Sequence, residues 1–265
     1  MQLFKKSIAL IMLFSWLGQA MAEDKKELLF YIGITMVRPV NELAENFKKA
    51  HDCEIKILQG GSKDLYDSIK TSSKGDLYMP GSVSFRTQYI TEGLLLDAVF
   101  VGYNKASLVV KKGNPKNIPA DLNVLTDSQY KVILGNADSG SVGAETKKIL
   151  TKFGNYEEAM LNAVSLTTDS RNLTKAIKDG EADVVLNWYA TTFWDDNTNF
   201  VEPLTIDTQY AEKALLTLDL LKTSKYPELT KEFMQYATSQ EGRMVFKKYG
   251  FLDEEDLKNY DNVKF

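Results

Sequence analysis

The pattern of apolar residues predicts an α/β fold made of two α/β units, and three observations carry that prediction. Short apolar or β-branched runs alternate with helical stripes; no hairpin turn joins consecutive strands; and the alternation halts at a turn cluster, Lys111-Lys112-Gly113-Asn114-Pro115, then starts again. Such alternation belongs to a largely parallel sheet flanked by helices. With 265 residues, 44% of them hydrophobic and 26% charged, the chain can form one large or two medium domains with real cores.

The elements follow in order. Lys5 and Lys6, an apolar run over residues 8–17 broken only by Ser15, and Ala20-Met21-Ala22 read as a secretory signal peptide covering residues 1–22. The apolar run is too short for a membrane anchor. Removing it takes away two lysines and no acids, so the exported remainder is more acidic than the whole chain at −4. Residues 28–34 (LLFYIGI) predict a strand, and Pro39 opens a helix with Val40, Leu43, Ala44, Phe47 and Ala50 on one face. Residues 54–58 predict a second strand, Gly60-Gly61-Ser62 a turn, and Leu65, Tyr66 and Ile69 the inner face of a second helix. A third strand over 76–79 ends at Pro80-Gly81-Ser82. Residues 98–110 are apolar and β-branched. The second unit then runs as strand 131–134, a glycine-bearing loop 135–143, helix 144–153, a helix around 173–177 and a buried strand 182–188. Residues 215–221 predict a returning strand, and Tyr226-Pro227 introduces a helix facing inward through Leu229, Phe233, Met234 and Ala237.

Scarcity narrows the chemistry. One His rules out a multi-His metal site, and one Cys rules out an internal disulfide or a cysteine-held cluster, so no metal or cofactor is expected. An acidic chain offers no electrostatic footprint for nucleic acid. His51-Asp52-Cys53 gathers triad residue types, but sequence neighbours point apart, and a polar helix end explains them. There is no GxxxxGK[ST] loop, Gly60-Gly61-Ser62 lacks the further glycine of a dinucleotide fingerprint, and nothing nominates a carboxylate pair, so no enzyme is expected.

Three loops share a physical design. Thr35, Gly60-Gly61-Ser62 and Gly140-Ser141 each follow a strand and supply a hydroxyl and backbone N–H groups where a helix starts. A helix start can hold an anion without a counter-charge, and the carboxyl ends of parallel strands are where open α/β sheets bind ligands. The plainer reading of each is an ordinary cap. Arg171 opens another helix, against the dipole; it reads either as a clamp on carboxylate or phosphate, or as a surface arginine paired with Asp169. Tyr189 and Trp188 end a buried strand and could aim a hydroxyl or an indole N–H at the cleft or simply pack in the core.

The stretch from Ser224-Lys225-Tyr226-Pro227 through Thr238-Ser239-Gln240-Glu241-Gly242 to Lys247-Lys248-Tyr249-Gly250-Phe251, with Gly75-Asp76-Leu77-Tyr78 and Gly180-Glu181-Ala182-Asp183 followed by Tyr189-Ala190-Thr191, resembles the extracellular solute-binding proteins of ABC importers. The likeness is to the two-lobed type II kind, nearest the periplasmic molybdate-binding branch. It implies a periplasmic-binding-protein fold with lobe 1 from residues 23–104 and 211–265, lobe 2 from 105–210, and a hinge near residues 101–110 and 205–216. It implies ligand contacts at Thr35, Gly61, Ser62, Ser82, Ser139, Gly140, Ser141, Ser170, Arg171 and Tyr189. It further implies a periplasmic protein, monomeric with a dimer as the alternative, that binds a small oxyanion and delivers it to an inner-membrane permease. Two departures stand out: Ile32-Gly33-Ile34-Thr35 replaces an alanine-rich serine loop, and Arg171 lies where that branch uses neutral donors. A small organic acid, a phosphate-type anion or a sensor role therefore stays open as the alternative. A ferric site of tyrosines would suit 13 tyrosines, but no adjacent tyrosine pair is present.

Overall fold

Residues 25–265 are described by the structure, a computed structural model, so the signal read in residues 1–22 lies outside the described residues. The first unit runs β1 (Lys26–Gly33), α1 (Val37–Ala50), β2 (Cys53–Gly60), α2 (Ser62–Ser72), β3 (Leu77–Met79), α3 (Val83–Tyr89) and β4 (Leu95–Asn104). The second runs β5 (Ala106–Lys111), β6 (Val132–Gly135), α4 (Ser141–Phe153), α5 (Tyr156–Asn162), β7 (Ala163–Thr167), α6 (Ser170–Asp179), β8 (Val184–Trp188) and β9 (Val201–Leu204). The chain returns through β10 (Ala214–Leu221), α7 (Pro227–Thr238), α8 (Gln240–Lys248) and α9 (Glu254–Lys258).

These strands form two five-stranded sheets, ordered β2-β1-β3-β10-β4 and β7-β6-β8-β5-β9. Of the strands expected from the alternation, β1 runs parallel to β2 and β3, and β6 runs parallel to β8; β7, which the apolar pattern does not announce, is also parallel to β6. Both sheets are nevertheless mixed. β10 is antiparallel to β3 and β4, and β5 is antiparallel to β8 and β9. The cause is the passage between sheets. β4 leaves the first sheet, Lys105 alone separates it from β5 in the second, and β10 comes back across residues 205–213. A strand that enters from the neighbouring sheet arrives at the end where β3 leaves, and so runs against it.

Helix positions follow burial. Val40, Leu43, Ala44 and Phe47 of α1 are buried against the first sheet, where the Phe47 and Phe233 rings meet edge-on at 5.3 Å and Phe30 lies 4.8 Å from Phe233. On the opposite face Tyr66 stacks on Tyr89 at 4.0 Å, beside Tyr31, Ile69 and Tyr78. The second sheet is likewise covered on both faces, by Leu134, Ile149 and Leu186 on one and Leu173, Ile177 and Val185 on the other. Helix α4 starts three residues earlier than its apolar pattern suggests, because Gly143 lets its first turn sit on the Asn136 backbone, which any Cβ would strike.

Asp219 places a charge inside the first sheet. Asp219, fully buried on β10, accepts from Arg86 Nη1 at 2.5 Å and from Thr217 Oγ1 at 2.9 Å, while Arg86 Nη2 donates to the Leu96 carbonyl at 2.8 Å. Burial pushes the Asp219 carboxyl up to about 6, with the Arg86 guanidinium and Thr217 hydroxyl pulling the other way. A carboxyl whose folded pKa exceeds its unfolded value holds its proton more tightly when folded, so acidification through about pH 6 favours the fold at this site. Arg86→Ala strands the carboxylate. It should cost about 3–5 kcal/mol in denaturant titrations near neutral pH, and the loss should shrink as pH falls toward about 5 and Asp219 protonates.

Candidate functional site

Four strand-to-helix connections meet in the gap between the sheets. β1 ends at Gly33 and passes through a 3-10 turn, Ile34–Met36, into α1; β2 passes directly through Gly61 into α2; β6 leads through a loop to Gly140 and α4; β7 leads through Thr168 to Asp169 and α6. The first N–H groups of any helix lack intrahelical partners. At Gly33, Gly61 and Gly140 the cap residue has no side chain to satisfy them. At α6 the Asp169 carboxylate does so, accepting from the N–H groups of Arg171 at 2.9 Å and Asn172 at 3.0 Å.

These starts enclose one cavity. Thr35 and Ser62 face it from the first lobe, and Gly140, Ser141, Thr168 and Ser170 from the second. Ser62 Oγ accepts from Gly81 N–H at 3.0 Å, which leaves the Ser62 hydroxyl proton free to donate inward. The Thr35 and Ser170 hydroxyls stand 3.5 Å apart across the gap. Among the described residues no lysine or arginine lines the cavity, and the one acid that does, Asp169, is engaged by the α6 amides and by Asn172 Nδ2 at 3.2 Å. The centre of a water molecule has about 20 Å³ in which to move. A sphere of that size has a radius of about 1.7 Å, and adding about 1.4 Å for water gives a body of about 3 Å radius. The gap is therefore sized for a body of only a few heavy atoms.

The lobes can close this far only because glycines sit at their contact. A methyl on Gly61 would lie 2.5 Å from the Ser139 carbonyl oxygen, and one on Gly81 would overlap the Ser141 hydroxyl. Two arginines fasten the rim from opposite lobes. Arg171 Nη2 donates to Gln59 Oε1 at 2.7 Å, while Arg38 pairs with Asp196 and lies 4.8 Å over the Trp194 ring.

Of the ten residues nominated from sequence, Thr35, Gly61, Ser62, Gly140, Ser141 and Ser170 line this cavity. Ser139 stands behind it, its hydroxyl donating to the Asn136 and Thr168 carbonyls. Ser82 is turned away as the N-cap of α3, accepting from Ser84 N–H at 3.2 Å. Arg171 neither enters the cavity nor pairs with Asp169 through its guanidinium; it reaches across to Gln59. Tyr189 lies in a different cavity on the hinge side. β8 ends at Trp188, and a 3-10 turn over Tyr189–Phe193 carries the ring away, edge-on to Phe193 at 5.0 Å. Two supports had no sequence signal. Asn104 Nδ2 holds the Gly81 carbonyl at 2.9 Å, and Asn187 Nδ2 holds the Ser170 carbonyl at 2.9 Å.

The family model for bacterial extracellular solute-binding proteins matches residues 28–252. The chain belongs to that family. This solute-binding protein is 25% identical over 236 residues, 88% of its length and 89% of the other's, to a Bacillus subtilis protein named as an ABC transporter substrate-binding lipoprotein. Two solved structures share the fold. The Azotobacter vinelandii periplasmic molybdate-binding protein aligns with a TM-score of 0.72 at 14% identity, covering 85% of this chain and 99% of that one. A periplasmic thiamin-binding protein aligns with a TM-score of 0.73 at 18% identity, covering 87% and 84%. Among the described residues no helix is long and apolar enough to cross a membrane.

Gly81 has an ordinary backbone angle, so alanine there should fold normally and obstruct only the approach of Ser141. Small-angle X-ray scattering of Gly81→Ala should give a larger radius of gyration than the parent under ligand-saturating conditions, with an unchanged thermal midpoint in the absence of ligand. Identical scattering would contradict the role given to this contact.

Proposed function

We propose that this solute-binding protein captures one tetrahedral oxyanion of the molybdate, tungstate and sulfate class between its lobes and hands it to the permease of an ABC importer, having been exported by its first 22 residues. The observation that carries this reading is the lining of the cavity: hydroxyls and uncapped helix starts, no cationic side chain, and room for one XO₄ group. A dianion can be held there by neutral dipoles, since hydrogen bonds to a charged group are each worth about 1.5–3 kcal/mol and strengthen once closure excludes water.

The alternatives fit less well. An organic acid needs space for a carbon body, which the small closed cavity lacks, and Arg171 is committed to Gln59. Phosphate near neutral pH keeps a proton that requires an acceptor, and the one carboxylate among the described lining residues has three of its roughly four acceptor positions filled, by two N–H groups and an amide. Thiamin is too large for the closed cavity and carries positive charge. The kinship with an ABC importer's binding lipoprotein supports the delivery role. The chain is then a carrier, with no reaction to perform.

Thermal-shift and calorimetric titrations against molybdate, tungstate, sulfate, phosphate, lactate, thiamin and ferric citrate test this. One of the first three should stabilise strongly at one ion per chain. Ser62→Ala and Ser170→Ala should each weaken that ion roughly tenfold to a hundredfold, as loss of a hydrogen bond to a charged group does. Arg171→Ala, which removes only a rim contact, should cost less than about tenfold. Stabilisation solely by thiamin or iron would overturn the proposal.

A further inference from the structure

The first-lobe wall of the cavity is held from behind by a residue that is not itself part of the lining. Asn104 ends β4, with Lys105 alone between it and β5, and its side chain is fully buried. Its Nδ2 donates to the Gly81 carbonyl at 2.9 Å and lies 3.7 Å from Met36 Sδ, and Gly81 and Met36 both line the cavity. The Gly81 N–H in turn donates to Ser62 Oγ at 3.0 Å. Asn104 therefore stands two hydrogen bonds behind a hydroxyl that faces the cavity, at the point where one lobe gives way to the other.

For stability alone asparagine is a poor residue here. Its Oδ1 is closed off from solvent and has no hydrogen-bond partner among the described residues. A buried amide oxygen in that condition is destabilising, whereas leucine has the same branched outline and would leave no such group. What asparagine supplies and leucine cannot is the Nδ2 donor, and that donor is committed to Gly81. Without it the Gly81 carbonyl has no partner among the described residues. Buried carbonyls seek a donor, so this one would turn toward water and draw the Gly81 N–H away from Ser62.

We infer that Asn104 is a positioning residue for anion capture: through Gly81 it aims the Ser62 hydroxyl into the cavity, a role that outweighs its unpaired oxygen. The inference rests on the oxyanion reading of that cavity.

Calorimetric titrations of the parent, Asn104→Leu, Ser62→Ala and the double variant with molybdate, tungstate and sulfate test it, beside melting curves recorded without anion. Asn104→Leu should weaken the anion that the parent binds best by about fivefold to twentyfold. Its anion-free thermal midpoint should stay within a few degrees of the parent's, because one unpaired buried group replaces another. In the Ser62→Ala background the same substitution should weaken binding by less than about twofold further, since the hydroxyl it positions is gone. If leucine fails to fold, Asn104→Ala, which adds no atoms, carries the same comparison. Parental affinity in the Asn104 variant, or an equal loss in both backgrounds, would overturn the inference and leave the oxyanion reading standing. Failure of the parent to bind any of the three anions would overturn both.

Discussion

Two helices, α2 and α4, and the 3-10 turn that leads into α1 begin just after glycines that have no side chain to cap them, and all three beginnings face one gap. Their N–H groups cannot be satisfied within the helices, so the chain is built around donors that need an acceptor from outside it. The rest of the architecture serves that placement. Parallel strands β1, β2 and β6 deliver each start to the same edge, Gly61 and Gly81 let the lobes approach, and hydroxyls from Thr35, Ser62, Ser141 and Ser170 fill the spaces between amides. A fourth start, at α6, carries its own acid cap. This keeps the Asp169 charge occupied and leaves Ser170 to face the cavity.

Closing the lobes is a separate matter from binding. The contacts that hold them together at the rim, Arg171 to Gln59 and Arg38 to Asp196 and Trp194, are partly or wholly exposed and individually weak. The hinge is held more firmly. Lys105 on one crossing and Lys213 near the end of the other both converge on Asp253 and Asp256, which cap α9 through a reciprocal pair of hydrogen bonds. Paired charges at the crossings and weak latches at the rim suit the proposed carrier, in which a bound ligand would stabilise the closed form.

Much of this was legible in the residues. Periodicity located the parallel strands β1, β2, β3, β6 and β8 and the helices α1, α2, α4, α6 and α7, because each is buried in or against a sheet; β7, mostly exposed, carries no such signal. The three helix-start loops could be read because glycine and hydroxyl residues at such points have few other uses. The antiparallel strands β5 and β10 could not be oriented, since their direction comes from passing between sheets and leaves no trace in apolar pattern. The helix position of Arg171 suggests either a ligand clamp or a pair with Asp169, and its guanidinium does neither; it reaches Gln59, 112 residues away in sequence. Tyr189 followed strand alternation one residue too far, past the start of a turn. Asn104 and Asn187 act through backbone carbonyls brought near only by folding.

What distinguishes this reading of the site is that neutral dipoles select an unprotonated tetrahedral oxyanion over hydrogen phosphate. Separate calorimetric titrations of the protein with molybdate, sulfate and phosphate address it directly. One site per chain for molybdate or sulfate, at least about tenfold tighter than for phosphate, is the expected result. Phosphate bound more tightly than both, or no binding by any of the three, would contradict it.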